Sequence, residues 1–143
     1  MKNFIVIEDA PQTDYLHDFV TLPRNYGSEA YYAREDVKAI CDTVHNALDK
    51  LDARINITET LKGYKSVILK PNLVNVLHNA GYYDANGNTD FPETTDPRVF
   101  DAVVNWFSKR HGHLIIAESS GKPFPTTASF KIAGYDRISK RYG

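Results

Sequence analysis

Three short apolar runs alternate with stretches of helical period, and few architectures satisfy that alternation. The runs are Phe4-Ile5-Val6-Ile7, Val67-Ile68-Leu69 and Leu114-Ile115-Ile116-Ala117. Each is too short for a helix and lacks apolar–polar alternation, the pattern of a strand buried on both faces. Strands are therefore expected over Lys2 to Glu8, Ser66 to Lys70 and Leu114 to Glu118. Pro71 ends the second because it has no N–H to donate to a ladder.

Between the runs lie amphipathic segments. Over Asp36 to Leu51, the residues Val37, Ile40, Cys41, Val44, Leu48 and Leu51 recur at three- and four-residue steps and form one helical stripe. Asp96-Pro97 opens the next helix: Asp caps the free N–H groups and Pro suits the first helical position. Its inward face is expected from Val99, Phe100, Val103, Val104 and Phe107. Lys109, Arg110 and His111 suit its negative end, and Gly112 stops it. Two short helices are expected over Thr127 to Ala133 and Asp136 to Tyr142.

The order strand, helix, strand, helix, strand, helix predicts parallel strands with right-handed crossovers. The expected class is α/β: a small, mainly parallel sheet with crossover helices, Rossmann-like and open to being an incomplete unit. The 143 residues fit a single α/β domain. Within it, residues 1–35 hold the first strand and a long connection punctuated by Pro11, Pro23 and Gly27. Tyr15, Leu16, Phe19 and Val20 could make one short helical face there.

Seventeen basic residues stand against eighteen acidic ones, so electrostatics make no case for nucleic acid or an anionic membrane. No apolar stretch reaches the length of a membrane span or a signal-peptide core. A cytoplasmic location is expected from that missing address. The single Cys41 excludes an internal disulfide and any iron–sulfur cluster held by this chain alone. No cofactor is expected within the chain.

The motifs come in a characteristic order. Val67-Ile-Leu-Lys-Pro-Asn-Leu73 is followed by Thr94-Thr-Asp-Pro97, then Ile116-Ala-Glu-Ser-Ser-Gly121, Ala133-Gly-Tyr135 and Arg141-Tyr-Gly143. Over roughly Asp36 to Gly143 this resembles the domain of unknown function family 362, specifically its N-terminal half. The resemblance implies a fold and a site more than a reaction. Members are often fused to ferredoxin-type modules with two 4Fe-4S clusters, which implies redox or cofactor-related work. This chain has no cluster-binding cysteines, and it stops where the family domain is half complete. A homo-oligomer or a missing C-terminal half is therefore expected to complete the sheet.

In open parallel sheets ligands bind beyond the carboxyl ends of the strands. Lys70 and Asn72 leave the second strand at that edge, and Glu118, Ser119 and Ser120 leave the third. Thr94, Thr95 and the start of the next helix return to the same side, where Gly121 adds backbone N–H groups. Together these make a cradle for phosphate or carboxylate on a small anionic metabolite. As an enzyme, the chain would use Lys70 to hold an anion or polarise a carbonyl. Glu118 would be the acid or base, provided burial raises its pKa. The plainer alternative is that Thr95 and Asp96 only cap a helix and that Lys70 and Glu118 only pair across adjacent strands. No Gly-rich phosphate loop or dinucleotide fingerprint accompanies these residues.

Weaker constellations also stand. The long connection from Asn72 to Thr94 carries an Asn86-Gly87 turn signal. Its Asp84, Asn86, Asn88 and Asp90 imitate half a calcium loop, but Thr89 and Thr95 replace the required Gly and Glu. His111 and His113 read as a metal pair or as helix-end charges. His78 lies in a loop that is either a lid or solvated. Cys41 reads as a small buried hydrophobe or a reactive thiol. Tyr26, Tyr31, Tyr32, Tyr82 and Tyr83 suit either an interface, as in a protein-interaction module, or the packing of long loops.

Overall fold

A computed structural model of the chain describes residues 4–10, 22–73, 94–119 and 125–143. Six helices and two strands are formed among them: α1 (Glu29–Tyr32), α2 (Glu35–Ile55), α3 (Ile57–Leu61), β1 (Val67–Leu69), α4 (Pro97–Ser108), β2 (Leu114–Ile116), α5 (Thr126–Ile132) and α6 (Tyr135–Tyr142). The protein is thus a helix-rich α/β fold around a small parallel sheet.

β1 and β2 pair in parallel, with Val67 opposite Leu114, Ile68 opposite Ile115 and Leu69 opposite Ile116. Side chains alternate across the pleat. Val67, Leu69, Leu114 and Ile116 accordingly join the core cluster with Phe100 and Val104 of α4. The opposite face presents Ile68 and Ile115, which remain 64% and 38% exposed. Among the described residues, helices cover one face of the sheet, a departure from the two-sided cover that parallel strands usually receive.

The expected first strand is not formed in its described part. Residues 4–10 adopt no regular structure, and Phe4, Ile5 and Ile7 are exposed. Glu8 is tied to Lys50 of α2 at 2.5 Å, a contact that anchors the segment without giving it a ladder. A continuous apolar run signals a need for burial but does not name a partner, and here neither β1 nor β2 supplies one. The helical face expected around Tyr15 to Val20 lies outside the described residues.

α2 runs past the expected Leu51 because nothing before Asn56 breaks it. Asn56 turns left-handed (φ 54°, ψ 50°), which Asn tolerates better than most residues. The Asp52 carboxylate then accepts the Thr58 N–H and hydroxyl at 2.7 and 2.6 Å and starts α3.

α4 is the central element. It begins as its sequence requires, with Asp96 accepting the Arg98 N–H at 2.8 Å and Pro97 in the first turn. Its buried set is wider than one face: Phe100 and Val104 enter the core, while Arg98, Asp101, Ala102 and Trp106 are buried as well. Val99, Val103 and Phe107, expected to face inward, are only half-buried. Several neighbours account for the difference, because α4 packs against α2 as well as against α6 and the sheet. The Trp106 indole donates to Asp49 of α2 at 2.7 Å, and the Arg110 guanidinium stacks 3.6 Å above the ring.

α6 closes the structure over the segment before α1. Arg137 donates to the Leu22 and Pro23 carbonyls at 2.7 and 3.0 Å, and Arg141 donates to the Gly27 carbonyl at 2.8 Å. Gly134 enters α6 at φ 76°, where a Cβ would sit 2.9 Å from Leu22 Cγ. Tyr31 is fully buried and makes edge-on contacts with Tyr26 and Tyr32. Of the two readings of the loop tyrosines, packing therefore describes these three. Tyr82 and Tyr83 lie outside the described residues.

Candidate functional site

Because β1 and β2 are parallel neighbours in register, their carboxyl ends open on the same edge. Lys70 leaves β1 there and Glu118 leaves β2, and the Lys70 ammonium pairs directly with the Glu118 carboxylate. Glu118 also accepts the Ser119 N–H at 2.7 Å. The Lys70 ammonium, with help from that N–H, holds the Glu118 carboxyl below the usual carboxylate range. A general acid or base working near neutrality would need a shift upward. The structure moves Glu118 the other way and makes it a fixed negative charge.

The remaining residues of this edge join the exit of β1 to the entrance of α4. The Asn72 N–H donates to Thr95 Oγ1 and the Thr95 N–H donates to the Asn72 carbonyl, both at 2.9 Å. Leu73 and Thr94 form an antiparallel bridge, with Thr94 buried. Tyr135 of α6 donates to the Thr95 carbonyl at 2.6 Å. Lys70, Asn72, Thr94, Thr95, Glu118 and Ser119 are thus brought to one edge, but the Thr95 hydroxyl already holds a backbone donor. Ser120 and Gly121 lie outside the described residues, as do His78, Asp84, Asn86, Asn88 and Asp90.

The start of α4 carries a built-in anion. Asp96 lies over its first turn and binds the Arg98 guanidinium, Nη2 to Oδ2 at 2.7 Å. Arg98 reaches on to Asp36 of α2, also at 2.7 Å, and its side chain is 3% exposed. The positive end of this helix is therefore already met by a carboxylate.

Beside Glu118, the exit of β2 opens into a cavity of about 540 Å³ against α5 and α6. Ile116 and Phe130 contribute apolar wall, Thr126 a hydroxyl, and Lys131 and Lys140 ammonium groups. Asp136 also lines it, 3.7 Å from Lys140. None of these lysines was legible as a site residue: each sits in a short helix whose sequence signals only an exposed polar face.

The other sequence candidates resolve locally. The His111 ring nitrogens lie 3.1 and 3.0 Å from the His113 and Tyr64 carbonyls. Among the described residues no group of three His, Cys, Asp or Glu side chains could hold a metal, and no helix is long and apolar enough to cross a membrane. Cys41 is half-buried, 3.7 Å from His45 Nε2, and burial pushes its thiol pKa up. That favours an uncharged thiol over a reactive thiolate.

No family model, no curated protein and no solved structure matches the chain.

Proposed function

We propose that the chain is a binding domain for a small anionic metabolite, held where β1 and β2 end. The observation that carries the reading is the cavity beside Glu118. Lys131 and Lys140 line it, Lys70 stands at its Glu118 side, and the apolar wall of Ile116 and Phe130 can take the body of a metabolite. Ligand carboxylate or phosphate would compete with Glu118 for Lys70 and draw on the two helix lysines. Glu118 acts as a charge that orients rather than as a proton carrier.

In this reading the architecture is Rossmann-like, and its kinship is with the domain of unknown function family 362. The order of strand-end motifs supports that kinship, and through it a place in a redox- or cofactor-related protein. The decisive experiment is thermal stabilisation by a panel of phosphorylated and carboxylated metabolites. Wild type would be compared with Lys70→Met and with a Lys131→Ala, Lys140→Ala double variant. A ligand should raise the wild-type Tm and lose most of that effect in the double variant. If no anion stabilises the wild type, or if the double variant responds equally, the reading is wrong.

A second reading has its own observation. Among the described residues Ile68 and Ile115 form an exposed apolar face of the sheet, and Phe4, Ile5 and Ile7 are exposed as well. A catalytically silent piece that needs a partner chain would cover them. Size exclusion with light scattering distinguishes the two, since a cooperatively folding monomer counts against the partner-dependent form.

A further inference from the structure

A second cavity, of about 370 Å³, lies between α2 and α4 and shares no lining residue with the one beside Glu118. Val37 and Cys41 of α2 and Ala102 of α4 supply apolar wall. Asp101 lies at its inner side, 3% exposed, with Oδ1 accepting from Tyr26 at 2.6 Å and Oδ2 from Tyr32 at 3.2 Å. The Arg98 charge is met by Asp36 and Asp96. Two further cations line the cavity, Lys109 and Arg141. Among the described residues neither forms an ion pair. Arg141 is fixed by the Gly27 carbonyl and lies 4.8 Å from the Tyr32 ring centre.

We propose that this cavity binds a short-chain carboxylate, with the carboxylate toward Lys109 and Arg141 and the hydrocarbon against Val37, Cys41 and Ala102. The sign of charge follows from Lys109 and Arg141: the one anion in the wall is buried, both its oxygens accept tyrosine hydroxyls, and it meets Arg141 only through space, without a close ion pair. An apolar lining with a few polar groups that set orientation is the usual arrangement of a small-molecule site. The inference is independent of the strand-edge reading, since it uses none of the same residues.

Cys41 is the only cysteine and lines this cavity, so it reports occupancy directly. The experiment follows alkylation of the full chain by iodoacetamide with butyrate, and with butylammonium as a probe of equal body and opposite charge. At ten times its dissociation constant butyrate should slow alkylation about elevenfold, because only the unoccupied fraction reacts. Butylammonium should not protect. Lys109 is exposed, so Lys109→Gln should leave the fold intact while weakening butyrate about tenfold, the loss of one charge-assisted contact. Amide chemical-shift changes at Ala102 and Asn105 give a second readout that does not depend on thiol reactivity. The proposal is overturned if neither readout responds to butyrate, if butylammonium acts equally, or if Lys109→Gln changes nothing. Binding at the strand edge would leave Cys41 alkylation unaltered, so failure of one site is not failure of the other.

Discussion

Replacing Arg98 by Met should cost the protein about 3 kcal/mol. The guanidinium is 3% exposed and bridges Asp96 at the start of α4 to Asp36 at the start of α2. Met fills a similar volume, so packing is largely kept, and the loss is that of a cation holding two carboxylates. Breaking a buried pair on one side typically costs about 3–5 kcal/mol. The lower end applies because Asp36 is 23% exposed and keeps Arg34 at 2.8 Å. For a chain of this size that predicts a fall in Tm of roughly 6–12 °C, read by calorimetry at neutral pH. Acid titration gives a second arm. Arg34 first, and Arg98 after it, hold the Asp36 carboxyl at about 2 against an ordinary 3.8. A depressed carboxylate stabilises above its unfolded pKa and loses that contribution as pH falls through its folded one. The wild type should therefore weaken between those two values, and Arg98→Met should weaken less. A Tm within about 2 °C of wild type, together with an unchanged acid limb, would refute the claim that this bridge clamps α2 to α4.

Three further outcomes are expected. Asp49→Ala leaves the buried Trp106 indole N–H without its acceptor and should cost about 1–3 kcal/mol in denaturant melts. Gly134→Ala combines a left-handed backbone with a Cβ 2.9 Å from Leu22 Cγ, and should cost about 1–3 kcal/mol, measurable as a shifted urea midpoint. Burial raises the pKa of Asp101, outweighing the tyrosine hydroxyls and Arg141 that lower it. The stability it lends is whole below the ordinary carboxylate pKa and is lost as pH rises through the folded one. Asp101→Asn should flatten that part of the pH–stability curve, and an unaltered curve would show that Asp101 does not titrate there.

Local signals were read well from sequence where one residue type does one job. Asp96-Pro97 marked the start of α4, and the Val67 and Leu114 runs marked two parallel strands, because capping and burial are written in neighbouring residues. The Lys70–Glu118 pairing followed from that parallel geometry, and so did its duller consequence, a closed ion pair. What could not be read was set by distant partners. Phe4 to Ile7 is apolar enough for a strand yet has no ladder, since pairing depends on an edge elsewhere. Asp101 and Arg98 are not among the residues whose period marks the inward face of α4. Their burial arises because α4 packs against α2 as well as against α6 and the sheet, and helical period alone cannot count neighbours. The lysines of the strand-edge cavity were hidden for the same reason: α5 and α6 carry ordinary polar faces until β2 is set beside them.

The grip of α6 on the chain's early segment has a kinetic consequence. Arg137 and Arg141 bind carbonyls 114 and 115 positions upstream, so these bonds close long loops. Loops of that length form late, after local helices have settled. On the ribosome, the stretch from Leu22 to Gly27 must therefore wait, unlatched, until Arg137 and Arg141 have emerged.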